Sequence, residues 1–182
     1  MKKLLILAGF LLSVQFLFAQ QKPTELDKSP LDVSYFPPNY PLLKMRGQAT
    51  TDPLARIIYS RPQKKGRNIF GEEVKFGEVW RLGANEASEF ELFKDAKIAG
   101  KKVPKGRYTL YCIPSETKWT LIFNKDNYSW GSYSYKPEKD VARIDVPFQK
   151  TAESVEALTM YFENNKLNIL WDVVKVEVPI SF

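Results

Sequence analysis

Three short segments concentrate the side chains that can do chemistry. Residues 59–71 read YSRPQKKGRNIFG and place Arg61, Lys64, Lys65 and Arg67 in a loop bounded by Pro and Gly. Residues 79–87, VWRLGANEA, hold Trp80, Arg81, Asn85 and Glu86 in a stretch too short and irregular for a strand. Residues 128–140, YSWGSYSYKPEKD, carry Tyr128, Trp130, Tyr133 and Tyr135 and end on Asp140. Arg61, Arg67 and Arg81 each present a planar fork of donors that matches a carboxylate, sulfate or phosphate. The same forks can instead pair with Glu86, Asp140 or backbone carbonyls and hold long loops down. Asn85 and Glu86 can bind a pair of sugar hydroxyls, or can belong to a turn through Gly83, Ala84 and Asn85 with Glu86 paired to an arginine. Trp130, Tyr133 and Tyr135 can form a stacking platform for sugar rings, apolar on the face and hydrogen-bonding at the rim. Alternatively, Trp130 caps the open end of a sandwich and the tyrosines pack across strands.

What is missing narrows the chemistry as much. The sequence has no histidine and one cysteine. No Ser-His-Asp triad, Cys-His dyad or imidazole metal site can be built. Cys112 alone makes neither an intramolecular disulfide nor a cysteine-cluster zinc site. It alternates with Leu110 and Tyr108 and reads as a small buried hydrophobe. No metal and no cofactor is expected. Carboxylates remain, since paired acids hydrolyse glycosides without histidine, and Glu86 with Asp140 is the first pair to consider. Two acids among 21 are no signal by themselves. The leading reading is a non-catalytic module that binds a polar or anionic ligand such as a saccharide. Its candidate binding residues are Arg61, Arg67, Arg81, Asn85, Glu86, Trp130, Tyr133 and Asp140, and no catalytic residue is named. The alternatives are a carboxylate-dependent enzyme resembling glycoside hydrolases and a structural or interaction protein of the cell envelope.

The N-terminus has the three parts of a secretory signal: Lys2 and Lys3, an apolar run from Leu4 to Val14 extended by Phe16 to Phe18, and a small residue, Ala19, before the cut. Cleavage after Ala19 is expected, with a periplasmic or secreted product and no membrane span left. A retained anchor is the alternative, but the run is short and Gln15 interrupts it. The formal net charge is +6, two units of it from the leader's lysines. No basic helix or RNA-binding motif appears, so nucleic acid is not an expected partner; a saccharide or an anionic small molecule is.

The elements that must position these loops are strands. Ala55, Ile57 and Tyr59 alternate with Arg56, Ile58 and Ser60; Trp119, Leu121 and Phe123 alternate with Thr120, Ile122 and Asn124; Leu158, Met160 and Phe162 alternate with Thr159, Tyr161 and Glu163. Phe90 and Leu92, Leu110 and Cys112, and Ile144 and Val146 continue the pattern. A period of two with β-branched and aromatic content marks half-buried strands. Turn signals fall between them at Ala99-Gly100, Val103 to Gly106, Ser115 to Lys118 and Asn164-Asn165. The expected fold is all-β: an antiparallel β-sandwich, jelly-roll-like or barrel-like, with at most one or two short helical turns, at Gly77 to Leu82 and around Thr151 to Val155. Residues 20–41 read as a proline-rich extended lead-in and 42–182 as one domain. Leu110, Leu121, Ile144, Met160 and Ile169 are expected inside, and Arg56, Glu91, Arg143 and Glu163 outside. Leu167, Ile169 and Trp171 share one parity whereas Val174, Val176, Val178 and Ile180 share the other, so a bulge or break is expected at Asp172-Val173.

The strings YSRP, GRxIFG, VWRxGANEA, PxGxYxLxxIP, WxxIFNK and WGxYxY together resemble domain-of-unknown-function family 2911, a family of exported bacterial β-proteins. The resemblance spans roughly residues 29–181, and VWRLGANEA is its most distinctive part. It implies a single exported β-domain. The family has no assigned reaction, cofactor or catalytic residue, so it implies no chemistry.

Overall fold

Alternating apolar residues become nine strands in the computed structural model, which describes residues 24–182. The expected leader, residues 1–19, lies outside the described residues. The strands are β1 (Leu31–Phe36), β2 (Ala55–Ser60), β3 (Ser88–Leu92), β4 (Ala96–Ile98), β5 (Lys101–Val103), β6 (Gly106–Pro114), β7 (Lys118–Asn124), β8 (Asp140–Glu163) and β9 (Lys166–Ser181). They form one antiparallel sheet in the order β1-β2-β3-β6-β7-β8-β9-β4-β5. The all-β expectation holds. The sheet also reaches back into the proline-rich lead-in, because Leu31–Phe36 pairs along its whole length with β2.

The long β8–β9 hairpin turns through Asn164 and Asn165, at φ 49° and 57°. Asparagine tolerates this left-handed conformation, which a tight hairpin turn requires. The distal half of the hairpin folds back toward β2. Leu158 N–H donates to Pro62 O (3.0 Å) and Lys64 N–H to Glu156 O (2.7 Å). Met160 N–H donates to Tyr59 Oη at 2.8 Å, and the Tyr59 hydroxyl lies 3.1 Å from both Met160 O and Asp32 Oδ2. These bonds curl the sheet on itself, the barrel-like variant of the expected sandwich. Along β4 and β5 the sheet's outer edge carries exposed Lys97, Lys101 and Lys102, and such charges discourage edge-to-edge pairing.

Leu110, Leu121, Ile144, Met160 and Ile169 are all buried, as their parity requires. Trp80, Trp119, Trp171 and Phe70 form one cluster at the core's end, with Trp80 stacked on Trp171 at 5.8 Å and Phe70 5.2 Å from Trp119. Arg143 and Glu163 are exposed. Arg56 and Glu91 are only half-buried, because they oppose each other across β2 and β3 and form an ion pair that Arg107 extends. Along β6 and β7 both faces are buried. Tyr111 and Ile122 point away from the main core and pack with Ala87 under Val79, Ile113 and Tyr135.

Neither expected helical stretch is helical. Trp80 exchanges both backbone hydrogen bonds with Cys112 (2.7 and 2.9 Å), so residues around it extend the sheet rather than coil. Thr151 to Val155, with two β-branched residues, lies within β8. The helix instead spans Tyr40–Met45 (α1), with Pro41 in its first turn, and a single 3₁₀ turn spans Pro137–Lys139.

β9 changes face where the parity conflict demands. Trp171 and Val174 are both buried, and Asp172 between them adopts φ 51°. The β8–β9 register shifts on both sides of the Val155–Asp172 pair. The Asp172 carboxylate accepts from Lys64 Nζ and from Ser154 Oγ (2.9 Å). Asp172→Val puts a β-branched residue into a left-handed conformation and removes that acceptor, so it should cost about 2–4 kcal/mol of unfolding free energy. Asp172→Asn tolerates the backbone and should cost about 1 kcal/mol. Urea denaturation distinguishes them; equal losses would mean that the positive φ carries no weight.

Candidate functional site

The loop from Lys125 to Lys139 is long and polar, yet it is pinned at many points. Buried Asn124 donates to Lys136 O (2.8 Å) and Asp140 Oδ1 (2.7 Å) and accepts from Asp126 N–H (2.7 Å). Thr109 Oγ1 donates to Asp126 O at 2.7 Å. Lys139 and Lys136 beside the Asp126 carboxylate hold its pKa below the usual value. Tyr135 donates to Asp140 Oδ2 (2.6 Å), Arg143 Nε donates to the same oxygen (2.7 Å), and Arg143 Nη2 donates to Tyr135 Oη (2.6 Å). The Tyr135 ring meets Tyr111 edge-on at 5.2 Å. Burial, and then the neighbouring Asp140, push the Tyr135 hydroxyl up to about 12.

Above this base the loop tip joins residues 79–87. Ala87 N–H donates to Ser129 O and Gly131 N–H to Asn85 O, both at 2.9 Å. Between them Glu86 opposes Trp130 in an antiparallel pair. Directly opposed residues of such a pair project to the same face, so Glu86 and Trp130 lie on one side of the joined segments. Trp130 is 61% exposed and Tyr133 88% exposed. Gly131 has φ 65°, and a Cβ there would lie 2.8 Å from two Tyr133 ring carbons. The glycine therefore serves both the turn and the close approach of the ring. Asn85, itself at φ 58°, donates to Asp27 Oδ2 at 2.7 Å.

The remaining candidates divide. Among the described residues Arg81 makes no ion pair, and its Nε is buried without a partner. It lines a cavity of about 180 Å³ with Glu73, Glu78 and Ser132 of the same aromatic loop. Arg61 is spent on Asp32 (3.2 Å), Leu158 O (3.2 Å) and Thr159 Oγ1 (2.9 Å), tying β1 and β2 to β8. Arg67 folds back on Lys64 O, Gln63 O and Glu73 within its own loop. Asp140, its side chain 10% exposed, has both oxygens engaged beneath the loop. Glu86 pairs with Trp130 where the two segments join, Arg81 lies in the cavity beside Ser132, and Arg61, Arg67 and Asp140 are consumed as staples. Complete burial pushes the Cys112 thiol well above its ordinary pKa, which removes it as a nucleophile near neutral pH. Among the described residues no group of three or more Cys, Asp or Glu is placed to hold a metal ion.

Sequence reasoning missed one feature. A cavity of about 580 Å³ opens at the barrel end beside the Asp172 bulge, walled by Phe70, Phe76, Trp119 and Phe148. Its residues come from four separate segments, and only the parity conflict in β9 pointed toward it.

The fold and loop define a curled antiparallel β-domain that presents aromatic side chains beside unpaired polar groups. The chain belongs to the family described as protein of unknown function (DUF2911), whose profile matches residues 44–180. No curated protein and no solved structure matches it significantly. Among the described residues no helix is long and apolar enough to cross a membrane.

Tyr59, pushed up mainly by burial, and Tyr135 both reach about 12 against an ordinary value of 10. The folded chain holds these protons more tightly than the unfolded one. Their stabilisation is intact below pH 10 and is lost as pH rises from 10 toward about 12. Asp140→Asn should move the Tyr135 titration down, read as tyrosinate absorbance. An unchanged late titration would mean that Asp140 does not act on it.

Proposed function

We propose that this chain is a non-catalytic binding module, working outside the cytosol, that takes a saccharide or another polyhydroxylated, anionic ligand at the tip of the 128–133 loop. The observation that carries the reading is the pairing of Glu86 with Trp130, an exposed ring on a loop fixed by backbone hydrogen bonds on both sides. A sugar presents a C–H face to such a ring and hydroxyl donors to the carboxylate on the same side. Arg81 offers donors to a carboxylate or sulfate on the ligand without giving up an internal partner. Tyr133 extends the apolar surface and adds a hydroxyl. Because the loop is pinned in place, little ordering entropy is lost on binding. The platform is open rather than deep, which suits dissociation constants from about 10 μM to 1 mM. Against a hydrolytic role, Asp140 cannot partner Glu86 as a second acid while Asn124, Tyr135 and Arg143 hold both its oxygens.

Titration of the mature chain with neutral gluco- and chito-oligosaccharides and with oligogalacturonates, followed by tryptophan fluorescence, tests this. Saturable binding is expected, tighter for the acidic oligomers at low salt. Trp130→Ala should weaken it about tenfold, equivalent to ~1.4 kcal/mol. Arg81→Lys should fail to restore what Arg81→Ala loses on acidic oligomers, because an ammonium cannot copy the planar fork. Binding that ignores Trp130, or none with any oligomer, would remove the proposal.

A further inference from the structure

We propose that the cavity at the barrel end is a second, separate site that takes a small organic cation, such as a quaternary or alkyl ammonium group. It opens where β8 parts from β7, whose last pair is Lys118 with Pro147, and where β9 turns at Asp172. Its volume of about 580 Å³ lies within the range of small-molecule sites. Three partly exposed aromatic residues, Phe70, Phe76 and Phe148, line it above buried Trp119. Phe70 and Trp119 belong to the tryptophan cluster beneath, Phe148 enters from β8, and Phe76, 39% exposed, stands at the mouth. The Phe76 ring rests over Gly71, where a Cβ would come within 3.2 Å of it.

The charges at the rim select the occupant. Glu72, Glu116 and Asp172 line the cavity against one cation, Lys150. Asp172 is neutralised by Lys64. Glu72 accepts only from the neutral amide of Asn68 at 2.9 Å, and Glu116 makes no ion pair among the described residues. Two carboxylates thus face an aromatic interior with a single opposing charge, on a chain whose formal net charge is +6. Ring faces carry negative potential and attract a desolvated cation. An anion would meet both the carboxylates and the rings. A neutral apolar guest would desolvate Glu72 and Glu116 without compensation. A cation with alkyl substituents satisfies both the walls and the rim.

The probes are choline, n-butylammonium and 3,3-dimethylbutanol, the last a neutral isostere of choline, titrated into the mature chain and followed by Trp119 fluorescence and amide chemical shifts. Saturable binding of at least one cation is expected, about fivefold or more tighter than the isostere. Glu116→Gln should weaken it several-fold while leaving the urea midpoint unchanged, since Glu116 is exposed, and Phe76→Ala should weaken it several-fold with a small fall in the midpoint, since its ring packs over Gly71. Trp130→Ala should leave cation binding intact, which separates this site from the loop platform. Equal affinity for the neutral isostere, no saturation with either cation, or indifference to both substitutions would overturn the proposal.

Discussion

A strand that buries side chains along its whole length while serving two regions of the core must change face once. β9 runs for 16 residues and meets that constraint at Asp172, whose left-handed conformation lets Trp171 and Val174 both point inward. A strand of fixed parity would bury one half of β9 and expose the other. With the bulge, the proximal half of the hairpin continues the sheet beyond β7, and the distal half crosses back to Tyr59 and Pro62. The tryptophan cluster and the opening at the barrel end border that residue, and the bonds from Tyr59 and Pro62 to β8 complete the curl. Lys64 and Ser154 hold its carboxylate in place, so the loop after β2 is fastened to the bulge as well.

The second organising feature is the double-sided burial of β6 and β7. Tyr111 and Ile122 face outward and need a cover, and the 125–139 loop supplies it. Covering an apolar patch with an irregular loop strands polar backbone groups unless side chains satisfy them. Asn124, Thr109 and Ser129 do so at Lys136 O, Asp126 N–H and Asp126 O. The result is a rigid base on which Trp130 and Tyr133 stand exposed. Arg61, Arg67 and Asp140 look like site residues from their type and loop setting, but their donors and acceptors are consumed in holding those loops. Among the described residues Arg81 and Glu86 differ in having no such partners.

Much of the fold is legible in residue order. Leu110, Leu121, Ile144, Met160 and Ile169 announce their face by alternation, Asn164-Asn165 announces the hairpin, and the parity conflict locates the bulge. Burial of Tyr111 and Ile122 is not legible, because what covers them is a loop whose sequence reads as polar. Arg56 and Glu91 lie deeper than their charge suggests, since each is the other's cross-strand partner. The helix at Tyr40–Met45 is too short for periodicity to reveal, although Pro41 and the glycine at 47 bracket it. In the site, aromatic and polar types are visible at once. Which of them meet depends on the turn through Gly83 and Asn85, and that geometry is tertiary. The barrel-end cavity draws on four distant segments, and the parity conflict in β9 is its one local mark.

The four tryptophans offer the most direct test of the central claim, that exposed Trp130 beside Glu86 is a ligand platform. Each indole N–H gives its own signal in a ¹⁵N-correlated spectrum, and Trp80 and Trp171 already donate to Gly83 O and Glu156 O at 3.2 Å. Titration with oligogalacturonate should move the Trp130 signal progressively and saturably while those of Trp80 and Trp171 stay in place. A Trp130 signal that does not move at saturating oligosaccharide, or one that moves no more than the buried indoles, would contradict the account.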